Sequence, residues 1–259
     1  MALCIAGIAP EAKGFAGIVS PARFELKAKP GQVMTNVIEV GNDASEADEF
    51  LFQTADWELN ADGGVSFQSE VLKIDSCRPW VRIERRSTKF APHGSRKFRF
   101  EVHIPADSPA RECRFALLIE SASNTLPTIV TGNLRLPLQG RIGVIVYVTV
   151  GDVTPKMAFK ESRLEIRNGV LTPIISVSNS GLAHGRLEGV LTGTDRDGQT
   201  FDLSVSNLPI LPGETRDIPI WVQDKADGKT RTWAPPLHVR GEIEWEGGKK
   251  KIYLTLNRP

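Results

Sequence analysis

Apolar and polar residues alternate with a period of two along most of the chain, and no sustained helical period interrupts them. Residues 35–40 alternate into the Gly41-Asn42-Asp43 turn, and residues 49–57 form a second strand pattern closed by Asn60-Ala61-Asp62-Gly63-Gly64. Further strands are predicted at 80–83, 97–104 and 113–120, followed by a long run over 134–150. The second half repeats the pattern at 174–178, 189–194, 201–205, 218–222, 239–245 and 251–256. Short strands at this spacing, bounded by turn residues, predict β-sandwich architecture. Pro/Gly turns launch strands at Lys29-Pro30-Gly31, Ala91-Pro92-His93-Gly94 and Leu211-Pro212-Gly213. The polar connection Gly151-Asp152-Val153-Thr154-Pro155 is the expected domain boundary, giving a lead-in over 1–17, a first domain over 18–150 and a second over 151–259.

Within the long run, strand alternation places Leu134, Leu136 and Leu138 on one face and Arg135 and Pro137 on the other. Pro137 cannot donate a ladder hydrogen bond, which places this stretch at a sheet edge or bulge. Two readings stay open: a row of leucines filling an ordinary sandwich core, or an edge strand meant to pair with another chain.

At 259 residues the chain can bury about two cores without staples. Lys plus Arg (32) balances Asp plus Glu (31), so the net charge of +1 gives no push toward nucleic acid or an anionic surface. Arg82, Arg85, Arg86 and Lys89 are interrupted by Glu84 and read as a solvated strand and turn. No stretch approaches the roughly 20 apolar residues of a membrane span. Residues 1–16 read as the tail of a secretory signal without its basic start, or as a disordered lead-in. With Cys4 in that segment, Cys77 and Cys113 remain as an even pair, either one disulfide in an oxidising compartment or two buried thiols.

Catalytic and metal chemistry have little to stand on. His93, His103, His184 and His238 are scattered, with neither HExxH nor GxSxG around them, and none sits at ligand spacing from the cysteines. Asp62-Gly63-Gly64 and Glu246-Gly247-Gly248 lack the Walker lysine and read as hairpin turns. Asp195 and Asp197 read as a turn, with a calcium loop as the alternative. Trp221, Trp233 and Trp245 read as core or interface aromatics. No catalytic residue, metal site or cofactor is expected.

Six stretches together resemble the periplasmic pilus-assembly chaperones of the PapD-like family: SPARFELKAKPG (20–31), VGND (40–43), ADWEL (55–59), SCRPWVRIE (76–84), FRFEVHIPADSPARECRFALLIE (98–120) and LRLPLQGRIGVIVYVTVGD (134–152). The resemblance is best over 20–152, and the second domain matches only as a generic sandwich. It implies an all-β chain of two immunoglobulin-like β-sandwich domains in the periplasm. It further implies donation of a strand, without ATP, to pilin-like or other incomplete immunoglobulin-like subunits, with an outer-membrane usher as a further partner. On this resemblance Leu134, Leu136 and Leu138 match the donor residues, and Arg23 matches the first of two basic residues that anchor a client carboxylate. Gly143 stands where the second is expected, leaving Arg141, about 6.6 Å away on the same strand face, as the substitute. The rival readings are a structural or adhesive envelope protein, and an intracellular binding module resembling major-sperm-protein domains.

Overall fold

The computed structural model describes residues 15–122, 126–131, 134–138, 140–223 and 231–258. The apolar run of residues 2–9 and Cys4 lie outside the described residues. The first unit contains β1 (Gly17–Ser20), β2 (Arg23–Ala28), β3 (Val33–Asn42), β4 (Asp48–Leu59), β5 (Val65–Gln68), β6 (Val81–Ile83), β7 (Ser87–Phe90), β8 (Ser95–His103), β9 (Arg111–Ser121), β10 (Leu126–Thr131), β11 (Leu134–Leu138) and β12 (Arg141–Val150). The second contains β13 (Met157–Arg167), β14 (Val170–Asn179), β15 (Val190–Thr194), β16 (Thr200–Val205), β17 (Thr215–Val222), β18 (Leu237–Trp245) and β19 (Gly248–Leu256). The chain is all-β, built as two immunoglobulin-like sandwiches.

In the first sandwich the sheet β1-β3-β8-β6 faces the sheet β2-β12-β9-β4-β5, with β7 also on β4. The N-terminal strand serves both sheets: β1 runs antiparallel to β3, and after Pro21 the chain crosses so that β2 runs parallel to β12. Phe50, Phe52, Phe90, Phe98, Phe100 and Phe115 fill the core between the sheets. Each such ring removed from water contributes about 1.5–3 kcal/mol. On β12 the two-residue period sends Val144, Val146, Val148 and Val150 into this core, all fully buried. Gly143, Ile145 and Tyr147 therefore fall on the opposite face. The same alternation puts Cys113 of β9 in the core, where it is disulfide-bonded to Cys77.

The second sandwich follows the order β13-β14-β17-β16-β15-β18-β19. Strand β17 joins its two layers, because residues 215–219 pair with β14 while residues 220–222 pair with β16. Leu187, Leu191, Leu203, Ile210, Ile218 and Ile220 form the fully buried centre of its core.

The run expected as one strand over 134–150 is two strands, β11 ending at Leu138 and β12 beginning at Arg141. Gly140 lies against the Phe15 ring, where a Cβ would collide with it. Strands β9 and β12 pair from Arg111↔Val150 to Arg141↔Glu120, and beyond that point β10 and β11 form a separate two-stranded antiparallel ribbon. Among the described residues β11 pairs only with β10 and belongs to neither sandwich.

The cross-link between Cys77 and Cys113 fastens the loop before β6 to the central strand β9. Replacing both cysteines with serine is expected to lower the unfolding free energy by about 2–4 kcal/mol, read as a reduced urea midpoint.

Candidate interdomain cleft and strand-donor ribbon

Strand β2 presents Arg23, Glu25 and Lys27 on one face, because its even positions Leu26 and Ala28 are buried in the core. That polar face meets the second sandwich. Glu25 is its centre: its Oε1 lies 2.9 Å from Arg23 Nε, 3.7 Å from His184 Nε2 and 3.7 Å from Arg186 Nε. Lys27 Nζ donates to Glu246 Oε1 at 2.5 Å, and the Glu246 carboxylate holds the ammonium above its ordinary range.

Behind this face the two sandwiches are joined by buried polar contacts. The Glu112 side chain is 0% exposed, and its Oε2 accepts hydrogen bonds from the His184 backbone N–H at 3.0 Å and from His184 Nδ1 at 2.6 Å. Arg114 Nη1 lies 3.8 Å from the other carboxylate oxygen. A buried carboxylate carries a desolvation cost of several kcal/mol unless such partners surround it. The His184 ring stacks on Tyr147 with centroids 3.8 Å apart, and Arg186 Nη2 donates to the Tyr147 hydroxyl at 3.4 Å. Burial lowers the Arg186 pKa and pushes the Tyr147 phenol up to about 12. Lower in the junction, Arg216 Nη1 and Nη2 donate to the carbonyls of Asn60 at 2.8 Å and Leu59 at 3.1 Å. Leu211 of the second sandwich packs on the cluster of Trp57, Ala116 and Tyr147.

At the junction lies an open cavity of about 290 Å³ whose ionisable lining is Glu25, His184, Arg186, Glu188, Glu244 and Glu246. Carboxylates outnumber the cationic groups in this lining. A further carboxylate entering here meets like charge unless Arg23 or Arg186 is released from Glu25.

The anchor residues expected from the sequence stand apart. Arg23 lies in the cleft, bound to Glu25, and its partner across the strand pair is Ile145. Arg141 lies four positions back along β12 from Ile145, about 13 Å by strand rise, with its guanidinium 5.8 Å above the Phe67 ring. Gly143 lies beneath that same ring, so a side chain there requires Phe67 to move. The cation beside Arg23 is instead Arg186, from the loop between β14 and β15. Nothing in Gly185-Arg186-Leu187 marks that arginine as a cleft residue before the second sandwich is docked.

The ribbon supplies the second feature. Its register sets Leu138 opposite Leu126, Leu136 opposite Thr128 and Leu134 opposite Thr131. Pro137 lies directly opposite Pro127. Two residues without N–H groups can face one another only as a non-hydrogen-bonded pair. Alternation then turns the backbone of Arg135 and the carbonyl of Pro137 toward the outer edge of β11.

Tyr147 yields a pH dependence with a definite sign. Its folded-state pKa, raised to about 12 mainly by burial, contributes stability below the ordinary tyrosine value near 10, and this is lost as pH rises toward about 12. Wild type is expected to lose stability over that window, and Tyr147→Phe to lose less, measured by urea denaturation at pH 9 and pH 11.

No family model and no curated protein sequence matches the chain. Solved structures do resemble it. The class 5 fimbriae chaperone CfaA is 12% identical, with a TM-score of 0.48 over 94% of this chain and 100% of that one. The Pseudomonas aeruginosa CupB2 chaperone is 15% identical, with a TM-score of 0.46 over 93% and 100%. A chain from the complex of the Salmonella enterica SafA pilin with the SafB chaperone is 13% identical, with a TM-score of 0.47 over 94% and 98%. These are likenesses of low identity.

Proposed function

We propose that this protein is a non-enzymatic periplasmic chaperone of the pilus-assembly type, which holds an incomplete immunoglobulin-like subunit by lending it a strand. The observation that carries this reading is the β10–β11 ribbon, which stands outside both sandwiches and leaves the outer edge of β11 unpaired among the described residues. Strand addition along that edge supplies main-chain hydrogen bonds from Arg135 and Pro137, while Leu134, Leu136 and Leu138 are the donor residues for the client's groove. Pro137 leaves the edge one donor short, which limits self-pairing of the exposed strand. No nucleotide is needed, since completion of the client's fold by a later strand supplies the driving force. The Cys77–Cys113 bridge accords with an oxidising compartment. Pilin-like subunits are the expected clients, and an outer-membrane usher is the expected recipient.

In this reading Arg23 is the carboxylate anchor, and it must exchange Glu25 for the client's terminus. Arg141, at the start of β12, would in this reading contact the client nearer the ribbon. The occupied state of Arg23 and the acidic lining of the cleft favour one rival, a structural envelope protein whose sandwiches act as a rigid spacer. Co-purification from the native envelope separates the two: a stoichiometric β-rich subunit is expected for the chaperone, whereas recovery of the protein alone points to the spacer.

Two variants sharpen the test. Leu136→Glu is expected to leave the urea midpoint unchanged and abolish client co-purification; unfolding of the first sandwich would instead make the leucine row a core element. Arg23→Ala is expected to weaken a client with a free C-terminal carboxylate by about tenfold, with little change for a C-terminally amidated client. Equal binding of both clients by wild type and variant would remove Arg23 from the anchor.

A further inference from the structure

The second sandwich has an open seam. Its strand path ends at β13 on one side and β19 on the other, and among the described residues each pairs with one neighbour only, β14 and β18 respectively. The two unpaired edges flank a groove of about 270 Å³. Its floor is apolar, with Phe159, Ile252 and Leu254 continuous with the core. Its rim carries Lys160, Lys250 and Lys251. Strand β13 is irregular here, its register shifting between Phe159 and Ser162, and this departure from a regular ladder coincides with the groove.

The charges of the rim are unequal in their engagement. Lys249 is held by Glu242 at 3.0 Å, and Glu161 is held by Arg163 at 3.2 Å. Lys250 instead leans over the groove, its Nζ 4.8 Å from the centre of the Phe159 ring. The local balance is positive, above an apolar floor and beside free main-chain groups. Lysines on an open edge repel a second copy of that edge, and they select an acidic strand in its place.

We propose that the β13/β19 seam is a strand-addition site for an extended partner segment in which apolar and acidic residues alternate. The segment would pair with the free edge of β19, set its apolar residues over Phe159 and Leu254 on the core-facing side, and place its carboxylates on the outer side, against Lys160 and Lys251. This site is separate from the β10–β11 ribbon, so it stands or falls independently of client capture there.

The test is an amide chemical-shift titration of the isotope-labelled full chain with the blocked peptide acetyl-Ser-Glu-Val-Asp-Val-Glu-Val-Ser-amide. The expected result is saturable shifts in the amides of residues 248–256 and 157–162. The same peptide with lysine at every acidic position is expected not to bind. Lys251→Glu, an exposed change, is expected to weaken the acidic peptide by about tenfold. Phe159→Ala should weaken it as well, provided its amide spectrum shows the sandwich intact. Absence of shifts in these strands, shifts confined to another surface, equal binding of the lysine peptide or an unchanged affinity in Lys251→Glu would each overturn the proposal.

Discussion

The two-residue period of β12 organises the molecule. Its valines at 144, 146, 148 and 150 close the first core, so Gly143, Ile145 and Tyr147 are committed to the other face. A slip of one residue would bury Tyr147 in the core and expose the valines, which is why the register cannot drift. On one side β12 pairs parallel with β2, bringing Arg23, Glu25 and Lys27 alongside it. On the other it pairs antiparallel with β9, bringing Glu112 and Arg114 beside Tyr147. The cleft and the core are therefore two faces of one strand, and a change in either is felt in the other.

The junction between the sandwiches is polar at its centre, unlike the cores on either side. Glu112 is stabilised there only because His184, arriving from the other sandwich, supplies two hydrogen bonds, with Arg114 nearby. Separating the sandwiches would leave a buried carboxylate short of partners or return it to water, along with Arg216 and the carbonyls it serves. The two units are thus coupled through groups that are costly to leave unpaired.

The same electrostatics shape what the cleft can accept. Arg23 and Arg186 both lean on Glu25, and three further glutamates line the cavity. An incoming carboxylate must displace Glu25 from at least one guanidinium, so the exchange is closer to a swap of like partners than to the filling of an empty cationic socket. Phe67 over Gly143 adds an apolar ring where a second cation was expected, and Arg141 stacks on that ring. Under the proposed function, client selectivity is expected to rest more on the ribbon than on the cleft.

The strand pattern was legible because alternation is a local property. The turn at Asn60-Gly64 and the strands that became β8 and β9 follow from neighbouring residues alone, whereas the turn expected at Gly41-Asn42-Asp43 is displaced, because Gly41 and Asn42 continue β3 opposite β1 and the chain bends at residues 44–46. The pairing of Cys77 with Cys113 was open on sequence grounds, since an even count permits a bond without requiring one; alternation on β9 and the path of the loop before β6 bring the two together in the core. The cleft was not legible. His184 lies 72 residues from Glu112, and Arg186 lies 39 residues from Tyr147. Such meetings depend on how two sandwiches dock, and no local period encodes them. By itself the sequence determined the all-β pattern and the inward faces of strands such as β8, β9 and β12, because side-chain alternation and turn chemistry act over a few residues; β1, β5, β10 and β13, whose alternation is weaker, were not marked by it. Only the tertiary structure decided that Arg186, not Arg141, stands beside Arg23, and that β11 lies outside both sheets, because both outcomes are set by long-range pairing and by the burial of charge between distant segments.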